Sequence, residues 1–353
     1  MSELRFNSEM LKLAREAREF TQSDLAKNAN VTQALVSKIE NGLIGNPSDE
    51  VVQKLSDAVR FPAGFFYQTF KVLGLPHFHF RKRAKLGSKA LAHIGAIINI
   101  RFQHISKLLR SYDRQIEKPI PHYDLDETGL TPEKVAERLR GYWMVPRGPI
   151  ANVVELIESA GGIVILCRFG TNLLDGISFR PEGLPPLFFM NRDVGGDRFR
   201  ISLTHELGHM VMHSIPEDDE KMEEEAHRFA ASFLMPAIEI RPYLATTKLS
   251  ALSRVKAYWK VSIKALIKRA HDLKLVTDNQ YRWLNVQYAK AFNTGEPIPI
   301  DLERPILIRR MVEYHLRELH YTIQELAAFL SVNKDELERA YVERPGLRLV
   351  VSN

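Results

Sequence analysis

Cysteine is nearly absent: one residue, Cys167, in a chain of 353. A single thiol excludes an intramolecular disulfide and removes cysteine-rich zinc sites from consideration. Its neighbours Ile163-Val164-Ile165-Leu166 read as a buried strand, with Cys167 as a small core residue. A cytoplasmic, reducing setting is expected. Long apolar runs are missing too. No stretch approaches the roughly 20 residues that a bilayer-crossing helix needs. The start, Met1-Ser2-Glu3-Leu4-Arg5, leads into a charged helix rather than the apolar core of a secretory leader. No membrane partner is expected. Internal repeats and low-complexity segments are also absent.

What is present is globular in balance, with 45% hydrophobic and 26% charged residues. The length predicts two or three domains. A net charge of +6 mildly favours a polyanionic partner. The distribution is sharper than the sum. Arg81-Lys82-Arg83 with Lys85 and Lys89 forms a basic run, read as a solvated helix start. Glu217-Asp218-Asp219-Glu220 and Glu223-Glu224-Glu225 form an acidic one.

The apolar pattern predicts a mostly α protein with a small α+β domain in the middle. Residues 1–70 read as short helices with tight turns, and 71–128 as a helical linker region. Within the latter, Leu91, Ile94, Ile97, Ile98, Ile105, Leu108 and Leu109 make a helical stripe. Thr131-Pro132-Glu133 starts a helix in 129–245 with a capping residue and proline at the first position. Three strand candidates follow: Ile163–Leu166, Gly176–Phe179 and Leu187–Asn191. They predict a small antiparallel sheet leading directly into the next helix. Residues 246–353 read as a helical C-terminal region.

The segment from Thr21 to Gly42 pairs two short helices around a turn. Thr21 caps the first, with Asp24 completing a capping box. Leu25 and the small Ala26 face inward, the turn at Asn28 to Asn30 admits a left-handed residue, and Val31 plugs it. Thr32 caps the second helix, which Leu35, Val36 and Ile39 anchor. Thr32, Gln33, Ala34, Ser37 and Lys38 are left outward. Glutamine can pair with an adenine edge, and lysine can reach guanine or phosphate. This stretch, with its ending Ile39-Glu40-Asn41-Gly42, resembles the phage-repressor-like (Xre-type) helix-turn-helix family over residues 9–67. The resemblance implies a five-helix domain that binds a double-stranded DNA operator as a homodimer. It also implies that Gln22, Gln33, Ala34, Ser37 and Lys38 face the DNA.

A second constellation is His205-Glu206-Leu207-Gly208-His209. Two histidines at i and i+4 point the same way on a helix and can hold one tetrahedral Zn²⁺. Glu206 is then placed to take a proton from water and return it to a leaving amine. Gly208 lets another backbone pass close. His213 is one turn further on and is expected at the helix end or pocket rim. A third ligand is needed. Glu223 shares the packing face of Ala226 and Ala230, where a carboxylate is costly unless it binds a charge. Glu224 and Glu225 are expected to point to solvent.

Together with Ala226-x-x-Phe229-Ala230-Ala231 and Leu234-Met235-Pro236, these residues resemble the ImmA/IrrE metallopeptidase family over about residues 130–240. Carried over, the resemblance implies His205, His209 and Glu223 as zinc ligands and Glu206 as general base. His227 stands where the family usually has Asn or Asp. It could orient a ligand imidazole in one tautomer or approach the metal itself. The same donors could also take Mn²⁺ or another metal. Arg198, Arg200 and His213 are candidates for stabilising an oxyanion. The resemblance implies a regulator that cleaves a specific protein, typically a repressor. Two alternatives stay open: a DNA-binding transcription factor whose metal site is sensory or vestigial, and an antitoxin-like module that docks a partner.

Near the C-terminus, Thr322 to Leu337 repeats a helix-turn-helix pattern. Its outward Asp335 and Glu336 argue for a support or partner-binding element rather than a DNA reader.

Overall fold

The computed structural model describes residues 5–74, 86–213, 220–245, 248–293 and 295–342. Most of the basic run (Arg81 to Lys85) and Glu217-Asp218-Asp219 lie outside the described residues. The chain forms two compact units that do not follow it in blocks. The first holds the described residues of 1–75, 86–114 and 306–353, the second those of 115–305.

The first unit begins with α1 (Ser8–Ala17), α2 (Gln22–Asn28), α3 (Gln33–Glu40) and α4 (Asp49–Val59). Thr21 accepts from Asp24 N, and the Asp24 carboxylate accepts from Thr21 N, so the capping box forms. Asn30 takes the left-handed conformation that the turn demands, φ +52°. Thr32 accepts from Leu35 N and starts α3. The fifth helix implied by resemblance is a 3-10 turn, Ala63–Tyr67. Its adjacent Phe65 and Phe66 are both fully buried, and a tight turn with Pro62 before it serves that better than an amphipathic α-helix. The long helix α5 (Ser88–Leu109) adds Ala96 and Ile100 to the same core as Met10, Leu25, Val36 and Ile39.

The second unit runs through α6 (Pro132–Tyr142), α7 (Val153–Ser159), β1 (Ile163–Cys167), β2 (Gly176–Phe179) and β3 (Leu187–Asn191). The sheet order is β1-β3-β2. β2 and β3 pair antiparallel as expected, but β1 pairs parallel to β3, so the sheet is mixed. The reason is burial. All five β3 residues are buried, so this continuous apolar run takes the centre. A hairpin with β2 on one side leaves β1 to flank it on the other. Apolar patterning says which residues form strands and is blind to their direction.

β3 feeds α8 (Gly196–Met212), which packs against α9 (Glu220–Leu234). Gly196 is needed at the start, because a Cβ there would fall 2.3 Å from the Ile300 carbonyl oxygen. At Gly208 a Cβ would stand 3.0 Å from Phe229 Cδ1 and 3.3 Å from Ala226 Cα. The two helices therefore touch where the sequence anticipates a close approach. Leu203, Leu207 and Val211 of α8 share one core with Phe229 and Phe233 of α9 and with Phe188. Buried Arg140 donates to Phe233 O (2.8 Å), and Arg269 donates to Met235 O (2.9 Å). Both satisfy carbonyls at the end of α9. The helices α10 (Leu249–Trp259), α11 (Ile263–Asp272) and α12 (Asp278–Ala291) complete this unit. No helix among the described residues is long and apolar enough to cross a membrane.

The helices α13 (Leu307–Arg317) and α14 (Ile323–Leu330) belong to the first unit, as does the short helix Lys334–Leu337 after them. Arg18 meets Glu336 at 3.1 Å, and Asn333 donates to Arg60 O at 3.0 Å. Lys107 of α5 donates to Phe329 O at 2.7 Å. The second helix-turn-helix pattern thus supports the first, with an acidic side chain occupied in an ion pair.

Candidate metal centre

α8 and α9 bring three donors together. His205 Nε2 and His209 Nε2 stand 3.0 Å apart. Glu223 Oε2 is 3.6 Å from the first, and Oε1 is 3.3 Å from the second. A tetrahedral zinc ion with bonds of about 2.0–2.1 Å keeps its ligands roughly 3.3 Å apart. The three separations straddle that value, so these residues fit zinc, as does the chemistry of two imidazoles and one carboxylate. Among the described residues this is the one such group of donors. Burial holds the His205 imidazole below its ordinary pKa, opposed by the acceptor carboxylate of Glu223. The neutral ring keeps a lone pair for a metal.

Glu206 follows His205 on α8 and is 5% exposed. Ser178 Oγ donates to its Oε2 at 2.7 Å. Gly176, two residues back on β2, admits this approach: a Cβ there would lie 3.3 Å from Glu206 Cγ and 2.5 Å from Met190 Sδ. Sequence reasoning missed Ser178. Its one signal is a polar residue inside the apolar run Gly176-Ile177-Ser178-Phe179.

Three expectations change. His213 ends α8, as expected, but is not a rim group. Its side chain is 4% exposed, with Nδ1 2.9 Å from His209 Nδ1 and Nε2 3.2 Å from Glu225 Oε2. Burial first, then His209 and His205, push its pKa down to about 3. Nor does Glu225 face solvent: its side chain is only 14% exposed, whereas Glu224 is exposed as expected. The backbone of His213 turns extended as α8 ends, and its ring meets the flank of α9 that carries Glu225. Arg200 is fully buried, bonded to Glu303 and, at 2.7 Å, to Ile150 O. It turns away from the site and cannot meet an oxyanion there. Arg198 stays at the cleft, paired with Asp175 at 2.7 Å.

His227 is exposed, its ring centroid 4.3 Å from that of His205. It leans on a candidate ligand with the ring planes tilted by 44° and stands outside the three-donor group. With Glu223, Arg198 and Ser202 it lines a cleft of 2320 Å³.

On the first unit, Thr32, Gln33, Ala34 and Lys38 are exposed along α3, while Ser37 and Gln22 are partly covered. Asn41 donates to Ser37 Oγ at 3.3 Å. Arg15 grips Glu40 with two bonds, 2.6 and 3.0 Å. Gln22 Nε2 donates to the same carboxylate at 2.8 Å, and Gln33 Nε2 donates to Gln22 Oε1 at 3.0 Å. This chain of bonds orders both glutamines. The roles of Arg15 and Glu40 escaped the sequence reading.

Residues 158–271 match the M78 peptidase family described as the IrrE N-terminal-like domain. The chain carries that domain. Its match extends past the resemblance read from sequence to take in α10 and α11. Residues 11–66 match a helix-turn-helix family. The chain is also similar to the HTH-type transcriptional repressor RghR of Bacillus subtilis (strain 168). They are 29% identical over 106 residues, 28% of this chain and 78% of that protein. The helix-turn-helix and this relative support DNA-binding regulation, and the IrrE-like domain suggests a metallopeptidase.

Proposed function

We propose that this chain is a cytoplasmic, DNA-binding transcriptional regulator whose second unit is a narrow-specificity zinc endopeptidase acting on a regulatory protein such as a repressor. The observation that carries the reading is the convergence of His205, His209 and Glu223, with Glu206 beside them and held by Ser178. Zinc bound there would polarise a peptide carbonyl and acidify water. Glu206 takes the proton from the attacking water and delivers it to the leaving amine. Ser178 fixes one oxygen of that carboxylate. The cleft beside Glu223 and His227 receives the polypeptide. In the first unit, α3 reads a major groove through Gln33, Ala34, Ser37 and Lys38, with Gln22 and Thr32 at its edge, and a homodimer reads two half-sites.

The test is to compare newly formed protein N-termini in cells carrying the native chain or Glu206→Gln. A cut within a regulator, present with the native chain and lost by about 10²-fold or more in the variant, is expected. Identical sets of termini would contradict the catalytic role. A second reading, a DNA-binding regulator whose metal site does not turn over, draws on the relative's printed role as a repressor. It predicts those identical sets together with intact zinc binding.

A further inference from the structure

The side of His209 turned away from Glu223 is closed by side chains that peptide cleavage leaves unused. His209 Nδ1 lies 2.9 Å from His213 Nδ1, and His213 Nε2 lies 3.2 Å from Glu225 Oε2. Lys221 Nζ stands 3.8 Å from the other Glu225 oxygen. We propose that His213 and Glu225 are positioning residues that hold His209 in the tautomer able to bind a divalent metal, an inference that rests on the zinc reading above.

The positions of the hydrogens decide the tautomer. An ionised carboxylate only accepts, so His213 Nε2 is the donor to Glu225. A neutral imidazole carries one N–H, which leaves His213 Nδ1 as a bare acceptor. The hydrogen between the two rings must then sit on His209 Nδ1. His209 Nε2 is left with its lone pair, directed toward His205 Nε2 and Glu223. The opposite tautomers would place a hydrogen on His209 Nε2, 3.3 Å from Glu223 Oε1. It would bond that oxygen, and both groups would be lost to a metal. Glu225 thus selects, through one intervening ring, which nitrogen of His209 carries the lone pair. His205 has no such device: its buried Nδ1 has no hydrogen-bond partner among the described residues. The two imidazoles are inequivalent, and His209 is the one that the fold prepares.

The test is a zinc titration of the full chain against a competing chromophoric chelator. Glu225→Ala and His213→Phe are each expected to bind zinc about 10–100-fold more weakly, with the metal-free unfolding midpoint unchanged. Glu225→Gln keeps an acceptor oxygen and should recover most of the affinity. Because Glu225 acts through His213, the double variant should bind no more weakly than His213→Phe alone. Native zinc affinity in a folded Glu225→Ala chain, or losses that add in the double variant, would overturn the proposal. If His213→Phe does not fold, the contrast between Glu225→Ala and Glu225→Gln still decides. Failure of the native chain to take up zinc would remove the metal reading and this one with it. Native uptake with an unchanged Glu225→Ala removes this one alone.

Discussion

The two chemically marked regions invert each other. Along α3 the groups offered to a partner are exposed, and the ion pair that orders them, Arg15 with Glu40, is mostly buried. At the centre between α8 and α9 the working groups are drawn inward: His205 and Glu206 are buried, and His209 and Glu223 are partly covered. One region is a surface held from behind; the other is an interior opened on one side by a cleft. The difference follows from what each would hold. A DNA groove needs donors and acceptors that project. A small divalent cation needs oriented lone pairs and a carboxylate away from competing water.

That contrast can be broken from either side. The largest expected effect falls on the support of the exposed surface. Glu40→Ala leaves the Arg15 guanidinium without its partner and frees Gln22, at a cost of about 3 kcal/mol to the first unit. Hydrogen exchange in α1 to α3 should quicken while zinc binding stays native. Unchanged exchange would mean that the ion pair supports nothing. Next comes the surface itself. Gln33→Ala with Lys38→Ala should weaken a selected operator by about 10–100-fold, since a good base contact is worth roughly 1–3 kcal/mol. Folding should be untouched, because both side chains are exposed. Equal binding by the double variant would show that α3 is not the reader. Smallest is Ser178→Ala, which removes one hydrogen bond to the Glu206 carboxylate. About a tenfold loss of cleavage rate, with zinc content intact, is expected for a bond worth roughly 1.5 kcal/mol. A loss of zinc instead would show that Ser178 holds the ligands rather than the base.

The same contrast explains what could be read from sequence. Thr21, Asp24 and Thr32 announce their caps because capping is local. His205 and His209 announce a shared face because i and i+4 are neighbours on any helix. Glu223 was reachable because a carboxylate among Ala226, Phe229 and Ala230 asks for a charge. The supports were not reachable. Ser178 meets Glu206 across 28 positions, and Arg15 meets Glu40 across 25. Glu225 looks like one more member of an acidic run until the end of α8 brings His213 to it. The direction of β1 was hidden for a related reason, since strand composition records burial and not polarity. The 3-10 turn at Phe65 and Phe66 escaped because short apolar runs carry no helical period.

Everything proposed for the second unit turns on whether α8 and α9 hold one zinc ion through His205, His209 and Glu223. The most direct measurement is the metal content of the purified native chain beside His205→Ala and Glu223→Ala, after dialysis against zinc and removal of the excess. About one zinc per native chain and its loss from both variants, with all three chains folded, is the expected result. A native chain that retains no zinc, or variants that retain as much as the native chain, would contradict it.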